Sequence, residues 1–254
     1  MRPGDRLHGW EILLRPAPDA PLPLVAAGRL EATDAIRPFL PRDLGRDEAT
    51  LVPLHVGQDA WLLAEGRYSE GIAGMRALAA RPEGSVRPGD PRFYRRAGIA
   101  LAIRAADGLL FARRAKTLHT NPGLWCVAAG EGMTAEDLGH DVRRAARRAA
   151  LEEWDLDLPE AAFRLLALAR HHRFADCAAF LLAETPEDAA TLEARGAAAH
   201  DAWEREAILR TPPGRAREAL EAAAAADGAP PTPAGRLMAD LLDAGPDACG
   251  RADG

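Results

Sequence analysis

The chain has 254 residues, 48% of them hydrophobic, enough to bury a substantial core in one large domain or two small ones. Its formal net charge of −6 argues against a protein whose main work is gripping phosphate backbones, so nucleic acid is not the expected partner. The three cysteines, Cys126, Cys177 and Cys249, show neither metal-ligand spacing nor a disulfide framework, which points to a reducing cytoplasm. Met1-Arg2-Pro3-Gly4-Asp5 leads into no signal-peptide hydrophobic run, and no apolar stretch approaches membrane-spanning length, so no membrane partner is expected.

Residues 1–91 read as a small β-rich unit. Trp10 to Leu14, Leu22 to Ala26, Ala49 to Val56 and Asp59 to Ala64 are apolar runs of strand length, punctuated by Pro16, Pro18, Pro21, Pro23, Pro38 and Pro41. Ile72, Met75 and Leu78, at a spacing of three, predict a short helix over Ser69 to Ala80. Arg81 to Pro91 (RPEGSVRPGDP) is a linker by composition, and a domain boundary is placed at its end.

From residue 92 the texture changes. Ala97 to Arg104 and Leu109 to Arg113 read as a hairpin around the turn signal Asp107-Gly108, and Trp125 to Ala129 as a further strand. The loop Gly130-Glu131-Gly132-Met133 follows. Thr134, with Asp137 three residues on, predicts the cap of a helix running to about Trp154. Leu165 to Arg170 and Ala178 to Ala183 read as antiparallel strands across a turn at His171-His172, and Ile208-Leu209 as a last strand. Helices are predicted over Thr211 to Ala226 and Ala234 to Leu242, with a frayed tail over 246–254. Cys126, on a predicted strand, reads as a buried structural thiol.

The helix that ends in Glu152-Glu153 carries the chemistry. Two adjacent carboxylates at a helix C-terminus repel each other and meet the negative end of the helix dipole. At 100° per residue, Leu138, Val142, Ala146, Ala149 and Glu153 share one stripe, so Glu153 closes an apolar face. An unpaired carboxylate there costs about 2–7 kcal/mol by transfer data, and needs a cation or a buried arginine. Glu152 has a plainer option in Arg148, four residues back, in an exposed pair of about 0.3–0.5 kcal/mol.

The element order, together with Leu110-Phe111-Ala112-Arg113-Arg114 and Asn121-Pro122-Gly123-Leu124-Trp125, resembles the Nudix hydrolase superfamily. That family's signature is G-x5-E-x7-R-E-U-x-E-E-x-G-U, with U a bulky aliphatic. Counted from the front, Gly130, Glu136 and Arg144 fit. Counted back from Glu152-Glu153, Arg148 takes the arginine position, Asp155 the glycine and Leu156 the closing aliphatic. The frames differ by four residues, about one helical turn. In neither is the glutamate after the arginine present, and in the second frame its position holds Ala149.

The resemblance implies a Nudix-like α/β/α sandwich with a mixed sheet over residues 92–245, preceded by the β-rich unit. It implies Mg2+- or Mn2+-dependent cleavage of a nucleoside diphosphate linked to another moiety, a small-molecule diphosphate compound being the partner. Glu152, Glu153 and Glu204 would be the metal ligands, and Glu136, Arg148 and Glu153 the catalytic residues, with Glu136 or Glu204 replacing the missing base. The alternative is a catalytically inactive Nudix-like module that binds a nucleotide or a protein, its base lost at Ala149. The first 90 residues could cover the pocket and select the substrate, or mediate homodimerisation.

Overall fold

The computed structural model describes residues 1–17, 19–30, 32–41, 49–57, 59–82, 96–118, 120–171 and 176–245. Among them the strands are β1 Arg6–Leu7, β2 Trp10–Leu14, β3 Leu24–Arg29, β4 Ala49–Val56, β5 Trp61–Arg67, β6 Arg96–Ala105, β7 Gly108–Arg114, β8 Trp125–Val127, β9 Phe163–His171, β10 Asp176–Glu184 and β11 Arg205–Thr211. The helices are α1 Tyr68–Ala79, α2 Val142–Trp154, α3 Ala189–Gly196, α4 Ala216–Asp227 and α5 Pro233–Asp243.

The large sheet runs β1-β2-β9-β10-β6-β7-β11, with β8 paired to β7, and it is mixed: β10 lies parallel to β6 and antiparallel to β9. The near-continuous apolar sequence of β6 has a direct cause, since a strand covered on both faces has no polar side to show. Its alternate residues Ala97, Ile99, Leu101, Ile103 and Ala105 face a core shared with Val142, Ala146, Ala149 and Trp154 of α2. Ala100 and Ala102 face the opposite core, with Leu220 of α4 and Leu237, Met238 and Leu241 of α5. The small alanines on that side let the second helical layer approach. The result is the expected α/β/α sandwich.

A second sheet, ordered β3-β5-β4, supplies the β-rich unit ahead of residue 92. Leu51, Trp61 and Leu63 enter the same core as α2, while Val52 packs with Ala73 and Ala77 of α1. The boundary placed at 91 falls in a stretch outside the described residues. It does not separate the two sheets cleanly, because β2 pairs with β9 and so places residues 10–14 in the large sheet, with Trp10 opposite His171. Long-range pairing of this kind leaves no local mark in the sequence.

Two helix starts and one turn differ from the sequence expectation. Thr134 and Asp137 do form a capping box, but on a single 3-10 turn, Ala135–Asp137. Leu138 is extended and Gly139 takes a φ of 79°, so α2 begins afresh at Val142, capped by Asp141, whose carboxylate accepts the Arg143 N–H at 3.0 Å. Thr211 ends β11 instead of opening a helix, since Pro212-Pro213-Gly214 intervenes before α4. His171 is not a turn residue: it closes β9, buried, with its ring 5.1 Å from that of Trp10; His172 lies outside the described residues. Cys126 is buried, as expected. Among the described residues no helix is long and apolar enough to cross a membrane.

Candidate functional site

The site forms where α2 ends against the loop after β8 and the short turn before β11. Helix α2 buries Val142, Ala145, Ala146, Ala149, Ala150, Glu153 and Trp154. Its C-terminus is closed by Asp155 in the left-handed conformation (φ 51°, ψ 34°), where the chain leaves the helix. Glu153 therefore stands at the base of an apolar face, and Ala149 beneath it is fully buried.

Adjacent in sequence, Glu152 and Glu153 point into different surroundings. Glu153 Oε1 accepts the Gly130 N–H at 3.0 Å. Burial pushes its pKa up to about 8, the charge of Glu204 adds to the rise, and the Gly130 hydrogen bond, Arg114 and Arg205 oppose it. Glu152 is more exposed, and its nearest cation is Arg148 at 3.9 Å.

Arg148 is committed elsewhere. Its Nη1 pairs with Glu131, and its Nη2 donates to Asp137 Oδ2 at 2.9 Å and to the Gly132 carbonyl at 3.3 Å. Burial raises the pKa of Asp137 and lowers that of Arg148. The cluster is not saturated: among the described residues Glu131 Oε2 and Arg148 Nε are buried with no hydrogen-bond partner.

On the other side, Glu204 sits in the 3-10 turn Ala202–Glu204 with its carboxylate 3.6 Å from Arg114 Nη2. Burial raises its pKa, Arg114 lowers it, and Asp201 raises it further. Arg205 reaches under the last turn of α2. Its Nη1 donates to the Glu153 carbonyl and its Nη2 to the Gly196 carbonyl, while the guanidinium lies 4.2 Å from the Trp154 ring centre. A cation there satisfies carbonyls that the helix leaves without partners and meets the negative end of its dipole.

Of the sequence-derived candidates, the fold brings Glu153 and Glu204 together. Arg148 and Glu152 lie toward a second cluster with Glu131 and Asp137. Glu136 is exposed on its 3-10 turn, and it is the next residue, Asp137, that enters the site. Sequence reasoning marked Asp137 only as a cap and missed Arg114 and Arg205 as participants. Among the described residues, no group of three or more His, Cys, Asp or Glu side chains is arranged to hold a metal ion. With Ala149 offering no oxygen, Arg148 holding Glu131 and Asp137, and Arg114 facing Glu204, the donor set as it stands does not fit a divalent cation.

No protein-family model and no curated protein matches the sequence. Among solved structures the chain is similar to DR0079 from Deinococcus radiodurans, at 16% identity and a TM-score of 0.45, over 76% of this chain and 98% of that one. It is also similar to a bifunctional NMN adenylyltransferase/ADP ribose pyrophosphatase from Francisella tularensis, complexed with AMP and a manganese ion. There the identity is 14% and the TM-score 0.41, over 71% of this chain and 46% of that one, so the chain spans about half the length of that protein.

Proposed function

We propose that the chain is a Nudix-like module that binds a small-molecule diphosphate compound without hydrolysing it. One observation carries this reading: the carboxylates gathered around the end of α2, the more exposed Glu152 aside, are answered by the protein's own groups. Arg148 holds Glu131 and Asp137, Arg114 faces Glu204, and the Gly130 N–H holds Glu153. The position where the signature carries its further glutamate is the buried methyl of Ala149. The diphosphate class follows from the Nudix resemblance of the loop and helix.

A second reading, Mg2+- or Mn2+-dependent hydrolysis, is favoured by the closeness of Glu204 to Glu153, since a pair of raised-pKa carboxylates is the start of a metal site. One experiment separates the two. Isothermal titration with a panel of nucleoside diphosphate compounds, with and without Mg2+, is paired with an assay of phosphate and nucleoside monophosphate release. Saturable binding with no release is the expected result. Turnover that disappears in Glu153→Gln would replace the binding reading with hydrolysis, and absence of binding across the panel would remove both.

A further inference from the structure

The turn that joins β1 to β2 has two residues, His8 and Gly9, with φ of 52° and 82°. A two-residue hairpin loop with left-handed backbone at both positions is filled with least strain by asparagine and glycine. Gly9 conforms, and a methyl there would meet the His171 ring at 2.5 Å. His8 places an imidazole where a shorter side chain sits more easily, and that imidazole is committed. Its Nε2 lies 2.6 Å from Asp240 Oδ2 on α5 and 2.8 Å from Arg217 Nη1 on α4. The hairpin is the outer end of the large sheet, where β2 pairs with β9. One ring nitrogen therefore fastens the edge of the sheet to both helices of the layer that covers it.

That nitrogen cannot serve both neighbours at once. With a proton it donates to Asp240 and turns a hydrogen toward those of Arg217; without one its lone pair accepts from Arg217 and faces a carboxylate oxygen. Arg217 and Asp240 hold each other in either case, Nη1 donating to Asp240 Oδ1 at 2.9 Å. Glu221 accepts from Arg217 Nε and from Arg236 Nε, each at 3.0 Å, so two guanidinium groups meet the carboxylates of Asp240 and Glu221. Asp243 is taken up by the N–H groups of Ala216 and Arg217, both at 2.9 Å. Within the hairpin the Asp5 carboxylate accepts the Arg2 N–H at 2.6 Å, and β9 contributes His171 beside Gly9. Imidazole is the side chain that gains its proton between about pH 8 and about pH 5, so acidity selects between the two bonds.

We propose that His8 is a pH-dependent latch on the β1–β2 hairpin: protonated, it ties the hairpin to Asp240 of α5, and neutral, with its hydrogen on Nδ1, it ties the hairpin to Arg217 of α4. The hairpin stays fastened while the helix that holds it changes. The latch is independent of the diphosphate reading, since none of its residues lies at the end of α2. The test follows amide hydrogen exchange in the full chain by NMR, as protection factors at about pH 5 and about pH 8. The reporters are the Ile12 N–H, bonded to the Asp5 carbonyl at 2.9 Å, and the Gly4 N–H, bonded to the Ile12 carbonyl at 2.7 Å.

Asp240→Ala is expected to lower protection about tenfold in acid and less than about twofold at the higher pH, and Arg217→Met to do the reverse. His8→Asn, which suits the turn, is expected to lower it at both. Equal losses at both pH values in Asp240→Ala or in Arg217→Met overturn the latch, as does no loss in any variant. Should a variant fail to fold, which circular dichroism checks, the ring nitrogens of His8 in the unaltered chain decide the matter. Long-range proton–nitrogen spectra are expected to show Nε2 bare at the higher pH and protonated in acid, and a proton on Nε2 throughout overturns the latch.

Discussion

Arg205 lies 4.2 Å from the ring centre of Trp154 and donates to the carbonyl of Glu153, so one side chain serves as both cation on the aromatic face and cap for the helix end. Both roles depend on a planar fork. Arg205→Lys keeps the charge but loses the flat stack and one of the two carbonyl bonds. Its expected cost is about 1–2 kcal/mol, read as a lowered midpoint in denaturant unfolding. Gly196→Ala should act on the same group from behind, because a methyl there meets the Trp154 ring at 3.1 Å and crowds the guanidinium. An unchanged midpoint in both variants would show that the stack contributes nothing.

Glu153 makes the fold sensitive to alkali. In the folded chain its carboxyl holds a proton up to about pH 8, whereas its ordinary value is 4.5. Between those values the folded state binds more protons than the unfolded, so stability is full below pH 4.5 and falls as pH rises toward 8, by at most about 1.4 kcal/mol per unit for this one group. Glu153→Gln, which is uncharged at every pH, should flatten that decline. Parallel stability-against-pH curves for the two proteins would mean that burial does not hold the proton.

The Arg148 cluster and the Arg147 pair differ in what water can replace. Asp137 is 1% exposed, and removing its guanidinium partner leaves a buried carboxylate with its Thr134 contacts and the charge of Arg144. Arg148→Ala is expected to cost about 2 kcal/mol, below the range for fully buried pairs because the Arg148 side chain is 22% exposed. Arg147→Ala, whose partner Asp157 is well exposed, should fall within about 0.5 kcal/mol of the parent. Equal effects in chemical denaturation would remove the distinction between the clusters.

Asp155 holds a left-handed conformation that glycine adopts without strain. Asp155→Gly is expected to stabilise the end of α2 by about 0.5–1 kcal/mol, visible as a rise of about 2–4 °C in melting temperature. A lowered melting temperature would mean that the carboxylate itself contributes more than the backbone costs.

What could be read from the sequence was what repeats locally. The hairpin of β6 and β7 around Asp107-Gly108 and the apolar stripe ending in Glu153 were both legible there. The count from Gly130 selects Glu136, and the single helix expected over residues 134–154 hides that its neighbour Asp137 is the buried one. The 3-10 turn Ala135–Asp137 turns Asp137 inward, and Gly139 and the cap at Asp141 then separate it from α2. Arg114 and Arg205 were invisible for another reason: one ends β7 and the other opens β11, and only the antiparallel pairing that sets Arg205 opposite Arg114 brings both to Glu153 and Glu204. The pairing of β2 with β9 escaped for the same reason.

The small sheet is sewn to the loop ahead of α2 by main-chain bonds: Leu51 N–H to the Met133 carbonyl, Leu24 N–H to that of His140, Gly139 N–H to that of Leu24 and Val142 N–H to that of Leu22. Deleting the first 91 residues would strip four partners from that loop and uncover the α2 core where Trp61 and Leu63 sit. The shortened chain should therefore precipitate or melt broadly, while the whole chain unfolds in a single calorimetric peak. The amino-terminal third is better pictured as the lining of a coat than as a detachable hood.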